Sequence, residues 1–296
     1  MFPFLHDLNL NIDGTGRVFH GRGKCFPHFE NVIIDYFDGV LVIILYAELD
    51  FSWWKSVVDT VRNKLPLKSV VVQKRYVRPV EMTTLEGEVV NSHVAKEGEN
   101  LFELSFGENQ NFGLFLDTAM IRKCMGSLID VTDKKILNLF SYTCSLSVAA
   151  IKNGAKSVLN VDMSKGALSV GQQNHKLNKL DPRQANFLPY DILKSFNSIK
   201  KRGPFDLIIC DPPSYQRNFI WQKDYSKLLR LMPKADQYLF CLNDPAVSRA
   251  QFAEFLAEHN FANAIAYLPW PDSFREKDQE SKFLLFNQQH ERSLSR

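Results

Sequence analysis

Cysteine is scarce in this chain and nowhere paired. Five occur in 296 residues (Cys25, Cys124, Cys144, Cys210 and Cys241), an odd number without a C-x-x-C spacing. That argues against a disulfide framework or a zinc ribbon and fits a reducing cytoplasm. The seven histidines supply no H-E-x-x-H or similar ligand pair, so no metal is expected. G-x-G-x-x-G is also missing, which makes a dinucleotide pyrophosphate site a poor fit. The longest apolar run, VLVIILYA at 40–47, is far too short to span a bilayer. MFPFLHDLNL has neither the basic start nor the long apolar stretch of a secretory signal. A soluble cytoplasmic protein without a membrane partner is the expectation. Excess charge of one sign is lacking too: the net charge is +3, too mild to establish a nucleic-acid partner.

What is present is more specific. Aromatic residues make up 12% of the chain, with 23 Phe, enough for large cores or for surfaces on which flat ligands stack. Between Lys55 and Arg78 stand seven basic residues (Lys55, Arg62, Lys64, Lys68, Lys74, Arg75 and Arg78) against Asp59 alone. Such a patch suits phosphate contacts, and it equally suits a solvated helix face.

The length leads us to expect a main domain and a smaller one. Residues 1–30 read as irregular. NVIIDYFDGVLVIILYAE reads as a hairpin turning at Asp38-Gly39. Ser52 is a candidate cap for a helix carrying Trp54, Val57, Val58, Val61 and Leu65 at helical spacing. SVVVQKRYV is a further strand, and a second hairpin turns at Glu97-Gly98. Residues 1–106 are therefore expected to form a small α+β domain suited to recognising the substrate. From 107 to 296 short apolar strands alternate with helices: KKILNLF, KSVLNVD, ANFLPYD, FDLIICD, QYLFCLN, FANAIAYLP and KFLLFNQ. This alternation predicts an α/β fold, a doubly wound, mostly parallel seven-stranded Rossmann-like sheet. The last two strands read as an antiparallel hairpin on the sheet edge.

Ligands of such sheets bind beyond the carboxyl ends of the strands. The first strand runs into a turn of small residues, Ser141, Thr143, Cys144 and Ser145, that opens a helix. The second ends at Asp162, about twenty residues on, where an acid holds ribose hydroxyls in nucleoside-binding sheets. The third ends at Tyr190-Asp191 and the fourth at Asp211-Pro212-Pro213-Ser214-Tyr215. Prolines after Asp211 stop the hydrogen-bond ladder and stiffen the exit. Carboxylates gathered at one rim repel one another unless a ligand or donors engage them.

KILNLFSYT, GAKSV, VDMS and FDLIICDPPSY together resemble the S-adenosylmethionine-dependent methyltransferases that modify 23S ribosomal RNA. The guanine-N7 branch is nearest and the cytosine-carbon-5 branch is a relative. The resemblance runs from about Phe112 to about Phe286 and implies S-adenosyl-L-methionine as cofactor and RNA as partner. It implies that Asn138, Ser141, Tyr142, Thr143, Cys144 and Ser145 hold the methionine end. Asp162 and Met163 would take the ribose, and Tyr190 and Asp191 the adenine. Phe115 and Asp117 would help close the pocket. Asp211 to Tyr215 would face the target base, with Asp211 also beside the cofactor. The chain departs from the family at two places: Cys144 replaces a glycine, and Ala119 stands where the family has an arginine, with Arg122 at a later basic position.

Transfer from a sulfonium needs a positioned nucleophile. Guanine N7 already offers a lone pair, whereas cytosine carbon 5 first needs a cysteine to add to the ring. Cys241 is the candidate thiol, but the family's nucleophile position falls nearer Asn243, which favours a ring nitrogen. Tyr215, Phe219 and Trp221 are candidates to stack on a base, and Arg17, Arg22 and Lys24 to meet phosphates. A methyltransferase acting on a small molecule or protein, and an RNA-binding protein that has lost the cofactor, remain the alternatives.

Overall fold

The computed structural model describes residues 3–107, 110–213, 220–277 and 280–287. Two compact units result. The first comprises residues up to Ala119 together with Trp270–Asp278, and the second comprises Met120–Pro269 and the chain from Gln279 onward.

The first unit holds β1 (Thr15–His20), β2 (Val32–Phe37), β3 (Val40–Leu45), α1 (Trp54–Arg62), β4 (Ser69–Lys74) and β5 (Glu81–Gly87). These strands form one sheet in sequential order, antiparallel except for β3 and β4, which α1 connects in parallel. Asp38 and Gly39 both have positive φ (42° and 106°), the backbone of a two-residue hairpin turn, so β2 and β3 pair in tight register. Val57, Val58 and Val61 of α1 are buried against the sheet. A separate hairpin, β6 (Ser92–Glu97) and β7 (Asn100–Ser105), follows.

Three expectations need correction here. Ser52 does not cap α1, because both its amide and its hydroxyl are bonded to the Asp50 carboxylate (3.0 and 3.1 Å). Residues 1–30 are not wholly irregular, since they contain β1, and β5 was absent from the pattern. Both are edge strands, paired on one side only, although β1 still buries Val18 and Phe19. β5 has no buried residue. Arg17 is not free to meet phosphate: its guanidinium is bonded twice to Asp35 (2.8 and 3.2 Å) and lies 3.9 Å over the Phe274 ring. Elsewhere in the basic stretch, Arg62 pairs with Glu86 and Lys74 with Glu81, while Arg75 bonds Gln73, Tyr46 and the carbonyl of Gln110. Lys55, Lys64, Lys68 and Arg78 stand exposed.

The second unit is the wound sheet. After α2 (Ala119–Cys124) come β8 (Lys135–Leu139), α3 (Ser145–Lys152), β9 (Ser157–Asp162), α4 (Lys165–Leu177) and β10 (Ala185–Pro189). Then follow α5 (Ile192–Lys200), β11 (Leu207–Cys210), α6 (Trp221–Leu231), β12 (Gln237–Cys241), α7 (Arg249–Glu258), β13 (Ala266–Leu268) and β14 (Phe283–Asn287). The order is β10-β9-β8-β11-β12-β14-β13, parallel except for β14. The strand order reverses between β8 and β11. All four residues of β11 are fully buried, as a strand covered on both faces requires. At about 1.5–3 kcal/mol per large apolar side chain, this burial anchors the sheet that carries the site. Side chains cap two helices: Ser164 on α4, and a reciprocal Ser248–Gln251 pair on α7. The final two strands pair as an antiparallel hairpin at one edge of the sheet, as expected. β14 lies between β12 and β13, so within this hairpin three-residue β13 is the edge strand. Phe283, Leu284, Leu285 and Phe286 are all buried, with a paired strand on each side.

Candidate active site

The turn after β8 is wound against the preference of its residues. Phe140, Tyr142 and Cys144 all have positive φ (57°, 46° and 61°), so every second residue is left-handed. Each costs about 1–3 kcal/mol, and such strain clusters where a binding site needs a fixed shape. Hydrogen bonds impose the shape. Ser141 N donates to Val161 O (3.2 Å), Tyr142 N to Asp162 Oδ2 (2.9 Å) and Cys144 N to Ser141 O (2.7 Å). From α4, Asn174 Nδ2 donates to Thr143 O (2.9 Å). The turn thus binds its own amides inward. Ser141 Oγ is buried without a hydrogen-bond partner among the described residues, a polar atom left for a ligand.

Asp162 ends β9 beside this turn. Its second oxygen accepts Ser164 N (2.8 Å), so two backbone amides hold the carboxylate, and each oxygen keeps a further lone pair. Met163 follows and is 68% exposed, an apolar surface at the rim. Tyr190 packs on the sheet core, while Asp191 precedes α5 and pairs with Lys194 (3.0 Å) at the surface.

Cys144 occupies the left-handed position that glycine would favour. Its thiol is wholly buried, donates to Tyr142 O (3.6 Å) and is pushed far up in pKa by desolvation. Room for it exists because residue 171 is glycine: a Cβ there would stand 2.5 Å from the sulfur. Cys144 therefore adopts the backbone of the missing glycine, and Gly171 supplies the space. Arg122 is 2% exposed and donates to Ser145 Oγ (3.3 Å) at the start of α3. Phe115 and Asp117 belong to the first unit. The Phe115 side chain is exposed, and Asp117 accepts the amide of Thr118.

On the other side of the strand reversal, Asp211 is part-buried directly beyond β11, followed by buried Pro212 and part-buried Pro213. Ser214, Tyr215 and Phe219 lie outside the described residues. Asn243 is exposed two residues past β12. Trp221 packs edge-on against Phe255 (5.0 Å between ring centres), which ties it to the sheet core. Cys210 and Cys241 are both buried, and burial pushes the Cys210 thiol far up in pKa. The Cys241 carbonyl accepts the Tyr225 hydroxyl (3.1 Å).

A buried polar chain was not read from the sequence. Asn138 Nδ2 donates to Asn160 Oδ1 (3.0 Å) and Asn160 Nδ2 to Ser147 Oγ (3.1 Å). Ser147 Oγ lies 2.9 Å from His175 Nε2, and His175 Nδ1 lies 2.7 Å from Gly171 O. The available signal was an asparagine at the same register of two apolar strands, KILNLF and SVLNVD. Burial lowers the pKa of His175, with the Gly171 carbonyl acting in the opposite direction. The unfolded chain therefore binds this proton more readily, and stability falls as pH drops below the ordinary histidine value of about 6.5. His20, also lowered mainly by burial, acts in the same sense. Urea midpoints from pH 8 to 5 are expected to decline, and His175→Gln to flatten part of that slope; an unchanged slope counts against the buried neutral ring.

Three comparisons bear on this arrangement. The family described as S-adenosylmethionine-dependent methyltransferase matches residues 16–281. The chain is 32% identical to the ribosomal RNA large subunit methyltransferase I of Enterobacter sp. strain 638, over 68% of this chain and 52% of that protein. It is 38% identical to the ribosomal RNA large subunit methyltransferase K/L of Shewanella loihica, over 45% of this chain and 19% of that one. The chain spans about half the length, or less, of the curated relatives it matches. Among solved structures, SMU.776 complexed with SAH superposes with a TM-score of 0.79 at 22% identity, over 93% of this chain and 76% of that chain, a likeness of fold.

Proposed function

Because the chain belongs to the S-adenosylmethionine-dependent methyltransferase family, we propose that it methylates a base of RNA, at a ring nitrogen such as guanine N7 in large-subunit ribosomal RNA. One observation carries the reading: the Asp162-bonded turn and the Asp211-Pro-Pro exit stand at the carboxyl ends of β8, β9 and β11, where the strand order reverses. Bound S-adenosylmethionine supplies an electrophilic methyl group. Asp162 is suited to the ribose hydroxyls through its remaining lone pairs, and the Ser141 hydroxyl to the amino-acid arm. Asp191 is suited to the adenine amino group. Asp211 then faces the acceptor base, whose positive charge grows as the methyl group arrives, and a fixed carboxylate favours that growth. Exposed Asn243 is suited to hydrogen-bond the base edge, while buried Cys241 is poorly placed to attack cytosine. In this reading the first unit recognises RNA, through Lys55, Lys64, Lys68 and Arg78 on the phosphates. The names of the relatives, both ribosomal RNA methyltransferases, support the substrate class.

Calorimetry with S-adenosylmethionine is the first test, and absence of binding at millimolar cofactor would sink the enzyme reading. Mass mapping of ribosomal RNA from cells lacking the protein tests the substrate. One base is expected to lose 14 mass units, roughly the mass of an added methylene, while phosphate contacts make RNA affinity fall steeply with salt. An unchanged map counts against ribosomal RNA.

A further inference from the structure

We infer that His175 is a positioning residue that orients the Asn138 amide through Ser147 and Asn160, so that the amide oxygen faces the amino-acid arm of the cofactor; this rests on the proposed cofactor site. Each link follows from the one before. The Gly171 carbonyl only accepts hydrogen bonds, so His175 Nδ1 carries the hydrogen. The ring is buried and neutral, so Nε2 is an acceptor and accepts a hydrogen bond from the Ser147 hydroxyl. Ser147 Oγ then accepts from Asn160 Nδ2, which turns Asn160 Oδ1 toward Asn138. That oxygen takes a hydrogen from Asn138 Nδ2 and leaves Asn138 Oδ1 as the unused end.

The direction of the whole chain is thus set by a backbone carbonyl in α4, three side chains (His175, Ser147 and Asn160) away from Asn138. Asn138 is the second-last residue of β8, immediately before the strained turn that holds Ser141. A carbonyl oxygen there accepts from an ammonium group; an amide nitrogen in its place would repel one. Without the Ser147 hydroxyl, Asn160 is released from its single orientation, and Asn138 can turn with it. The expected consequence is a loss of discrimination between ligands that have the ammonium group and ligands that lack it.

Ser147→Ala removes one buried atom and tests this directly. Three ligands are titrated by calorimetry into the full chain: S-adenosylhomocysteine, its des-amino analogue and methylthioadenosine, which lacks the amino-acid arm. The wild-type chain is expected to favour S-adenosylhomocysteine over the des-amino compound by about 10–100-fold, the range of a charge-assisted hydrogen bond. Ser147→Ala is expected to bring that ratio to about threefold or less while methylthioadenosine binds as before. His175→Phe should act likewise, and His175→Gln, which restores an acceptor, should recover the ratio. A wild-type ratio retained in both Ser147→Ala and His175→Phe overturns the relay, including when all three ligands weaken together. A wild-type chain that binds none of the three overturns the cofactor reading instead.

Discussion

Asp211→Ala is expected to lower kcat for methyl transfer by at least about 100-fold, the scale on which a misplaced reactant or a lost charge-stabilising group acts. The residue is the first beyond β11, a strand with all four side chains buried and neighbours on both sides, so its position is fixed by the sheet. Pro212 follows and holds the exit rigid. The carboxylate also raises the pKa of the buried Cys210 thiol, second only to the burial itself, a sign of the negative field at this rim. In methyl transfer, positive charge passes from sulfur to the acceptor, and that field lies where the charge arrives. Because Asp211 is only part-buried, its loss should leave the urea midpoint near the wild-type value. Cys241→Ala is the companion measurement. It trims a buried thiol and is expected to cost packing while most turnover remains. If Cys241→Ala abolishes turnover in a chain that still folds, a thiol adds to the acceptor ring and the preference for a ring nitrogen falls. If Asp211→Ala turns over normally, the rim has been assigned to the wrong strand end.

Gly171→Ala is expected to destabilise the second unit and the turn after β8 together, by about 1–3 kcal/mol or more, as overpacking a closed core does. The added Cβ would stand 2.5 Å from the Cys144 sulfur and 3.1 Å from its Cβ. Neither can retreat, since Cys144 is fully buried in the turn. In an ordinary exposed helix the same change gains about 0.5–1 kcal/mol, so the sign of the effect is itself diagnostic. Cys144→Gly removes the sulfur and relieves the left-handed strain at φ 61°. The double variant Gly171→Ala/Cys144→Gly is therefore expected to match or exceed wild-type stability and to restore cofactor affinity. Urea titrations of the four proteins measure the coupling, and a coupling energy below about 0.5 kcal/mol would refute the pairing of these two positions.

Much of this was legible because its signals are local. Short apolar runs between helical stretches are enough to indicate a wound parallel sheet, since a strand buried on both faces must be continuously apolar. Charged residues ending such runs mark the rim, and Asp162 and Asp211 lie at strand ends as the pattern implies. The Asp38-Gly39 hairpin follows equally from neighbouring residues.

Other features had no local signal. β5 carries little apolar patterning and β1 only a short apolar pair, because an edge strand draws its hydrogen bonds from a partner that sequence does not name. Trp270–Asp278 connects β13 to β14 yet folds with the first unit, where Lys277 N donates to Gly23 O (2.7 Å) and Phe274 stacks under Arg17. Arg17 looked like a phosphate ligand until Asp35, eighteen residues away, neutralised it. The sequence by itself determined the strand-and-helix framework and the chemistry at its rim, through periodicity and charge. Only tertiary structure decided that Gly171 makes room for Cys144 and that His175 orders the asparagines behind the turn. Those contacts join residues 13 to 28 positions apart, and three-dimensional packing alone brings them together.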